Sequence, residues 1–233
     1  MSCYDLSMND EYHKKEGILL KLHPYRDQMD IATIFFPDQG LAEGILHRNR
    51  FHAIGLDPPL QGEWIYKHSR GQLLFIQQVS PTNQFLQIRK SYDHLAAAGT
   101  ILHATLNTQG VGRPAPQLYR LCEEYLQDLD QANPLAIAAS YQLKTLRHEG
   151  WLDLLMPCLQ CGQTPRSINL MLEGIFCSHH SPNDEFTFNE EETQKLQLLA
   201  YAKRKEWIYS LEIDPSLTKR IHRFFLLAQE SIS

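Results

Sequence analysis

Three cysteines and a histidine fall within twenty-three residues. Cys158 and Cys161 are spaced C-x-x-C with Gly162 directly after, and Cys177 and His180 are spaced C-x-x-H. A C-x-x-C turn presents two thiolates from one tight knuckle, and tetrahedral zinc takes four such soft or borderline donors. Gly162 suits the knuckle, where the backbone usually turns through positive φ. Two knuckles joined by a short hairpin form a closed site with four protein ligands and no position for a substrate. The expectation is one structural zinc ion on Cys158, Cys161, Cys177 and His180, with His179 the alternative to His180. A redox dithiol, or clustering without metal, are the competing readings; the first leaves Cys177 and both histidines unexplained.

Other chemistry is excluded by what is missing. No G-x-x-x-x-G-K-[ST], G-x-G-x-x-G or G-x-S-x-G occurs. Pro157-Cys158-Leu159-Gln160-Cys161 matches the P-C-x-x-C half of a zinc deaminase, but no H-x-E lies upstream, so the catalytic glutamate is absent. The expectation is a protein that is not an enzyme.

The net charge is −5 over 233 residues and the pI about 6.1. The charge is unevenly spread: from His47 to Lys90 stand six bases (Arg48, Arg50, Lys67, Arg70, Arg89, Lys90) and two acids (Asp57, Glu63), a local +4. Local sign matters for a polyanion, because phosphate contacts act within a Debye length of about 8–10 Å. No run of eighteen apolar residues exists, so no membrane span is expected. Few cysteines outside the cluster, and no signal-like leader, suit the reducing cytoplasm.

The elements that must position these residues fall in two blocks. Residues 1–15 read as a leader. From Glu16, five short apolar or alternating stretches follow: Gly17–Leu22, Met29–Phe36, Leu41–His47, Glu63–Lys67 and Leu73–Val79. Turn residues separate them, as in a small β-barrel or sandwich. Trp64 and Tyr66 share one face of their strand, either core or groove; with Phe51 they are candidates to stack on bases. After Pro81 the period becomes helical: a helix from about Ser91 carrying Leu95, Leu102 and Leu106, another through Leu118–Leu129, and a third over Pro134–Arg147. Beyond the cysteine segment, Asn189 is an N-cap with Glu190, Glu191 and Glu192 in the first turn. Lys203, Arg204 and Lys205 are expected in that helix's last turns. Asp214 opens a final helix.

In order and spacing these motifs resemble the RecO family of bacterial DNA repair proteins. The N-terminal likeness runs through Gly17-Ile18-Leu19-Leu20, Pro24-Tyr25, Asp30, Phe35-Phe36 and Gly40. The helical likeness runs through Tyr141–Gly150, Leu155-Met156-Pro157 and the C-x-x-C-G, and Gly174–His180 stands where the family carries G-x-x-C-x-x-C. His180 replaces the fourth cysteine, and His47–Arg50 with His52 is less basic than the family's segment there.

The resemblance implies an α+β protein: a five-stranded OB-fold barrel over 16–82, then an α-helical domain over 83–233 with a zinc-finger-like insertion at 157–181. It implies a recombination mediator that binds single- and double-stranded DNA, anneals complementary strands, and helps RecR load RecA on DNA coated by single-strand-binding protein (SSB). Localisation would be cytoplasmic, at the bacterial nucleoid. Arg48, Arg50, Lys67, Arg70, Arg89 and Lys90 are the candidate phosphate contacts, Arg48 and Arg50 in the loop after the third strand. Lys144, Arg147, Lys203 and Arg204 are candidates for the acidic C-terminal tail of SSB. The alternative is a zinc-stabilised protein–protein adaptor with weak or no DNA binding.

Overall fold

The computed structural model describes residues 11–51, 54–69, 71–131, 133–181 and 185–231. Its first unit is built from alternating and β-branched stretches that close on themselves. Strands β1 (His13–Arg26), β2 (Met29–Phe36), β3 (Gly40–His47), β4 (Leu60–His68) and β5 (Leu74–Asn83) form a closed barrel in the order β1-β2-β3-β5-β4. All neighbours are antiparallel except β3 and β5, whose parallel contact closes the ring. This is an OB-like barrel, and closure leaves no free sheet edge. The core comprises inward residues of every strand, among them Leu19, Ile34, Phe36, Leu46, Trp64, Tyr66, Ile76 and Val79.

The fold departs from the sequence expectations at three places. Strand β1 starts at His13, so residues 13–15 of the supposed leader pair with β4, His13 opposite Tyr66 and Lys15 opposite Trp64. Arg48 and Arg50 lie in a one-turn helix, α1 (Arg48–Phe51), rather than a loop. Trp64 (0 % exposed), Tyr66 (1 %) and Phe51 (4 %) are core residues and cannot stack on bases. Their polar ends are satisfied inside, as burial requires: Trp64 Nε1 donates to the Gly17 carbonyl at 3.0 Å and the Tyr66 hydroxyl to Gln39 Oε1 at 3.1 Å.

Residues Gln109–Tyr119 group with the barrel, although the sequence division places them with the helices. The Gly112 N–H donates to the Leu41 carbonyl at 3.0 Å, and the Tyr119 ring packs on Phe35 with centroids 5.5 Å apart.

The second unit takes Phe85–Thr108 and the chain from Arg120. Its helices are α2 (Tyr92–Thr108), most of α3 (Pro116–Asp128), α4 (Pro134–His148), α5 (Glu190–Tyr201), α6 (Glu206–Tyr209) and α7 (Pro215–Glu230), with a 3₁₀ turn at Leu86–Lys90. Helix α4 is the central element, buried along most of its length and packed on α2, α5 and α7. In α2 the buried stripe is Ala97, Ala98, Ile101, Leu102, Ala104 and Thr105, while the expected Leu95 faces solvent. Asn189 caps α5 as expected, in a reciprocal box: its Oδ1 accepts the Glu192 N–H at 2.9 Å and Glu192 Oε2 accepts the Asn189 N–H at 3.0 Å. Asp214 caps α7 through the Ser216 N–H. Between α4 and α5 the chain forms a three-stranded sheet, β7-β6-β8, from β6 (Ile168–Met171), β7 (Gly174–Cys177) and β8 (Thr187–Phe188). No described helix is long and apolar enough to cross a membrane.

Candidate metal centre and nucleic-acid surface

The first knuckle is shaped by backbone hydrogen bonds. The Gly162 N–H donates to the Cys158 carbonyl at 2.8 Å and the Cys158 N–H to the Gln163 carbonyl at 2.9 Å. Gly162 takes φ +70°, the left-handed turn that its lack of a Cβ permits. The Leu159 N–H, inside the knuckle, donates to the Ile175 carbonyl of β7 at 2.9 Å, which docks the knuckle on the hairpin. Gly174 makes room: a Cβ there would lie 2.9 Å from Leu159 Cδ1. The second knuckle closes with the His180 N–H on the Cys177 carbonyl at 2.9 Å.

These turns bring Cys158, Cys161, Cys177 and His180 together, with their four donor atoms within 4.8 Å of one another. His180 Nδ1 lies 3.2 Å from Cys177 Sγ and 3.8 Å from Cys158 Sγ. Ligands about 2.0–2.3 Å from a tetrahedral ion stand roughly 3.5–3.8 Å apart, so the cluster fits a metal ion of that size. Its electrostatics agree. Burial pushes the Cys158 thiol up, but the N–H groups of Cys161, Cys177 and Gln160 and the His180 ring outweigh it and hold the group at about 6. At Cys161 the Gln163 N–H favours the thiolate, yet burial and the sulfurs of Cys158 and Cys177 outweigh it and raise the group. Three sulfurs this close cannot all ionise without a cation between them. With four protein donors, the arrangement can hold a metal as a structural cross-link and leaves no ligand position for chemistry.

The basic candidates are dispersed. Arg48 grips the buried Asp30, with Nε at 3.1 and 3.2 Å from its two carboxylate oxygens and Nη2 at 2.5 Å. That hydrogen bond and the attraction to Asp30 raise the guanidinium further. A phosphate at Arg48 would compete with an internal carboxylate. Arg50 is exposed and reaches Gln77 Oε1 on β5 at 3.3 Å. Lys67, on β4, lies over the Tyr12 ring at 4.3 Å. Arg70 lies outside the described residues. Arg89 and Lys90 are exposed at the end of the 3₁₀ turn, in the helical unit.

The second group of cations does something else. On α4, the Lys144 ammonium donates to the Ala202 carbonyl at 2.8 Å and Arg147 Nη1 to the Ala200 carbonyl, while Ser140 Oγ donates to the Leu199 carbonyl at 2.7 Å. These are the orphan acceptors at the end of α5. Burial, then the neighbouring Arg147, lowers the Lys144 ammonium. Lys203, Arg204 and Lys205 lie past the end of α5 rather than in its last turns, because Ala202 leaves the helix at φ −57°, ψ 124°. Lys203 and Arg204 are exposed, with Arg204 5.9 Å from the ring of the exposed Trp207; Lys205 is ion-paired with Asp128.

Sequence reading missed Asp30 as the partner of Arg48, and it missed the exposed aromatics of the barrel, Tyr12, Tyr25 and Phe75. The signal for Phe75 was present but masked: it sits in the run Leu73-Leu74-Phe75-Ile76, where an unbroken apolar string hides the strand period.

Known proteins resemble this chain in sequence. A family model described as "Recombination protein O C terminal" matches residues 89–227. Curated relatives called "DNA repair protein RecO" include one from Chlamydia trachomatis serovar D, 32% identical over 218 residues (90% of this chain, 89% of the relative). Another, from Chlamydia muridarum, is 30% identical over 195 residues (81% and 83%), and one from Chlamydia pneumoniae is 25% identical over 225 residues (92% and 87%). With a matching model across most of the helical unit, and a relative above 30% identity spanning barrel and helices alike, the chain belongs to the RecO family.

Proposed function

We propose that this chain is a non-enzymatic mediator of DNA repair and homologous recombination that binds single- and double-stranded DNA and anneals complementary strands in the cytoplasm. The observation that carries the reading is the OB-like barrel with cations on its surface, the exposed Arg50 and the half-buried Lys67, in a chain whose relatives are named for DNA repair. Annealing needs no general base. It needs phosphates neutralised so that two polyanions approach, with bases left free to pair. Arg89, Lys90 and Arg70 are further candidate contacts; Arg48 is assigned to holding Asp30.

The metal is proposed to be zinc, one ion on Cys158, Cys161, Cys177 and His180, because a Cys₃His set at this spacing suits it. It supplies folding energy to a small insertion. The proposed partners are RecR and the acidic tail of SSB, for which the exposed Lys203 and Arg204 beside Trp207 offer cations next to an apolar surface. The test is fluorescence anisotropy with labelled single strands and duplexes at two salt concentrations, followed by an annealing assay. Binding that weakens steeply with salt, and faster annealing, support the reading. No binding at low salt supports the adaptor that the acidic pI of about 6.1 favours.

A further inference from the structure

The outer face of the barrel carries a row that the core cannot explain. On β5, Phe75 is 46% exposed, while its neighbours Leu74 and Ile76 point into the core. Across the strand pair it stands opposite Lys67 of β4, and on its other side opposite Ile45 of β3. Just before β1, Tyr12 is 58% exposed, with the Lys67 ammonium 4.3 Å from its ring centre. Lys67 therefore lies between two exposed aromatic rings that the barrel does not bury.

A second cation sits on the same face. Where Ile65 pairs with Gln78 and Tyr66 with Ile76, Gln77 is the extra residue of a β-bulge, and it accepts a hydrogen bond from Arg50 at 3.3 Å. Bulges re-aim side chains, and this one anchors Arg50 over β5 two residues from Phe75, about 7 Å along the strand. The acid nearby, Glu63, is paired with Lys14 at 2.8 Å, so it does not oppose the two cations alone. Two exposed rings and two cations thus gather on one part of the barrel surface. Rings beside cations match a strand whose bases and phosphates alternate.

We propose that Phe75 and Tyr12 form the base-stacking platform of this barrel, with single-stranded DNA lying across β1, β4 and β5, its bases on the two rings and its phosphates against Lys67 and Arg50. This rests on the DNA-binding reading above and names the residues that distinguish single strands from duplex. In a duplex the bases are already stacked on each other and have no face to offer these rings, so the platform acts on single strands alone.

The experiment is anisotropy of a labelled oligothymidylate and of a labelled duplex, with the full chain and its Phe75→Ala, Tyr12→Ala and Phe75→Tyr variants. Each alanine is expected to weaken oligothymidylate binding about 5- to 10-fold, with the salt slope and the duplex affinity unchanged; Phe75→Tyr is expected to bind like the parent. Parent binding that Phe75→Ala and Tyr12→Ala leave undiminished overturns the platform alone. An equal loss on duplex also overturns it, because it shows a disturbed fold rather than lost stacking. Failure of the parent chain to bind either DNA overturns the DNA-binding reading itself and the platform with it.

Discussion

The ammonium of Lys144 donates to the carbonyl of Ala202 at 2.8 Å, so a cation expected to face a partner instead closes the end of helix α5. Arg147 and Ser140, on the same side of α4, take the carbonyls of Ala200 and Leu199. Positive charge at a helix C-terminus opposes the negative end of its dipole, and each orphan carbonyl gains a donor.

Lys144→Met keeps the aliphatic stem and removes the donor. It is expected to lower stability by about 1–2 kcal/mol, since it leaves a carbonyl at the helix end unpartnered. Urea denaturation measures this. Affinity for an acidic, apolar-ended peptide is expected to stay unchanged, whereas Arg204→Ala should reduce it.

The Asp153 carboxylate accepts the Tyr201 hydroxyl at 2.6 Å and the Leu155 N–H at 3.0 Å, and these bonds hold it below the usual aspartate range. A depressed folded pKa means that the stabilisation is present above the unfolded value, about 4, and is lost as pH falls through the folded one. Tyr201→Phe is expected to move the Asp153 carboxyl upward in an NMR titration and to shrink the acid-side loss of stability. An Asp153 titration that does not move with Tyr201→Phe would contradict the assignment.

The metal cluster is expected to act on stability rather than on DNA. The purified protein should contain about one zinc per chain, and a chelator or Cys177→Ser should lower Tm by several degrees, because a structural zinc contributes several kcal/mol of folding free energy. Below that lowered Tm, DNA affinity and annealing should match the parent. Lost annealing at undiminished stability would place function in the hairpin.

The Cys₃His cluster, which could hold a metal ion, was legible because its members are local. One knuckle docked on the β6–β7 hairpin and a second at the end of β7 bring the donors together with little help from the rest of the fold. His180 joins the three cysteines through one turn, closed by the His180 N–H on the Cys177 carbonyl. Strands β2 and β3 were legible from apolar and β-branched runs. The start of β1 was not: Lys14 and Glu16 face solvent, so pairing with β4, rather than hydrophobicity, makes this segment a strand. Trp64 and Tyr66 share a face by parity, but parity does not say which face is core; barrel closure decides that. The end of α5 carried no glycine or proline, so the helix read on through Lys203–Lys205.

If the barrel's cations carry the contact with DNA, single-strand binding depends on salt through them. For single strands the slope of log affinity against log salt is about −0.7 per phosphate neutralised. Arg50→Ala with Lys67→Ala is expected to weaken binding at low salt and to flatten the slope by about 1.4, from two lost contacts. An unchanged slope in the double variant would show that the phosphates lie elsewhere on the molecule and that Arg50 and Lys67 do not contact DNA.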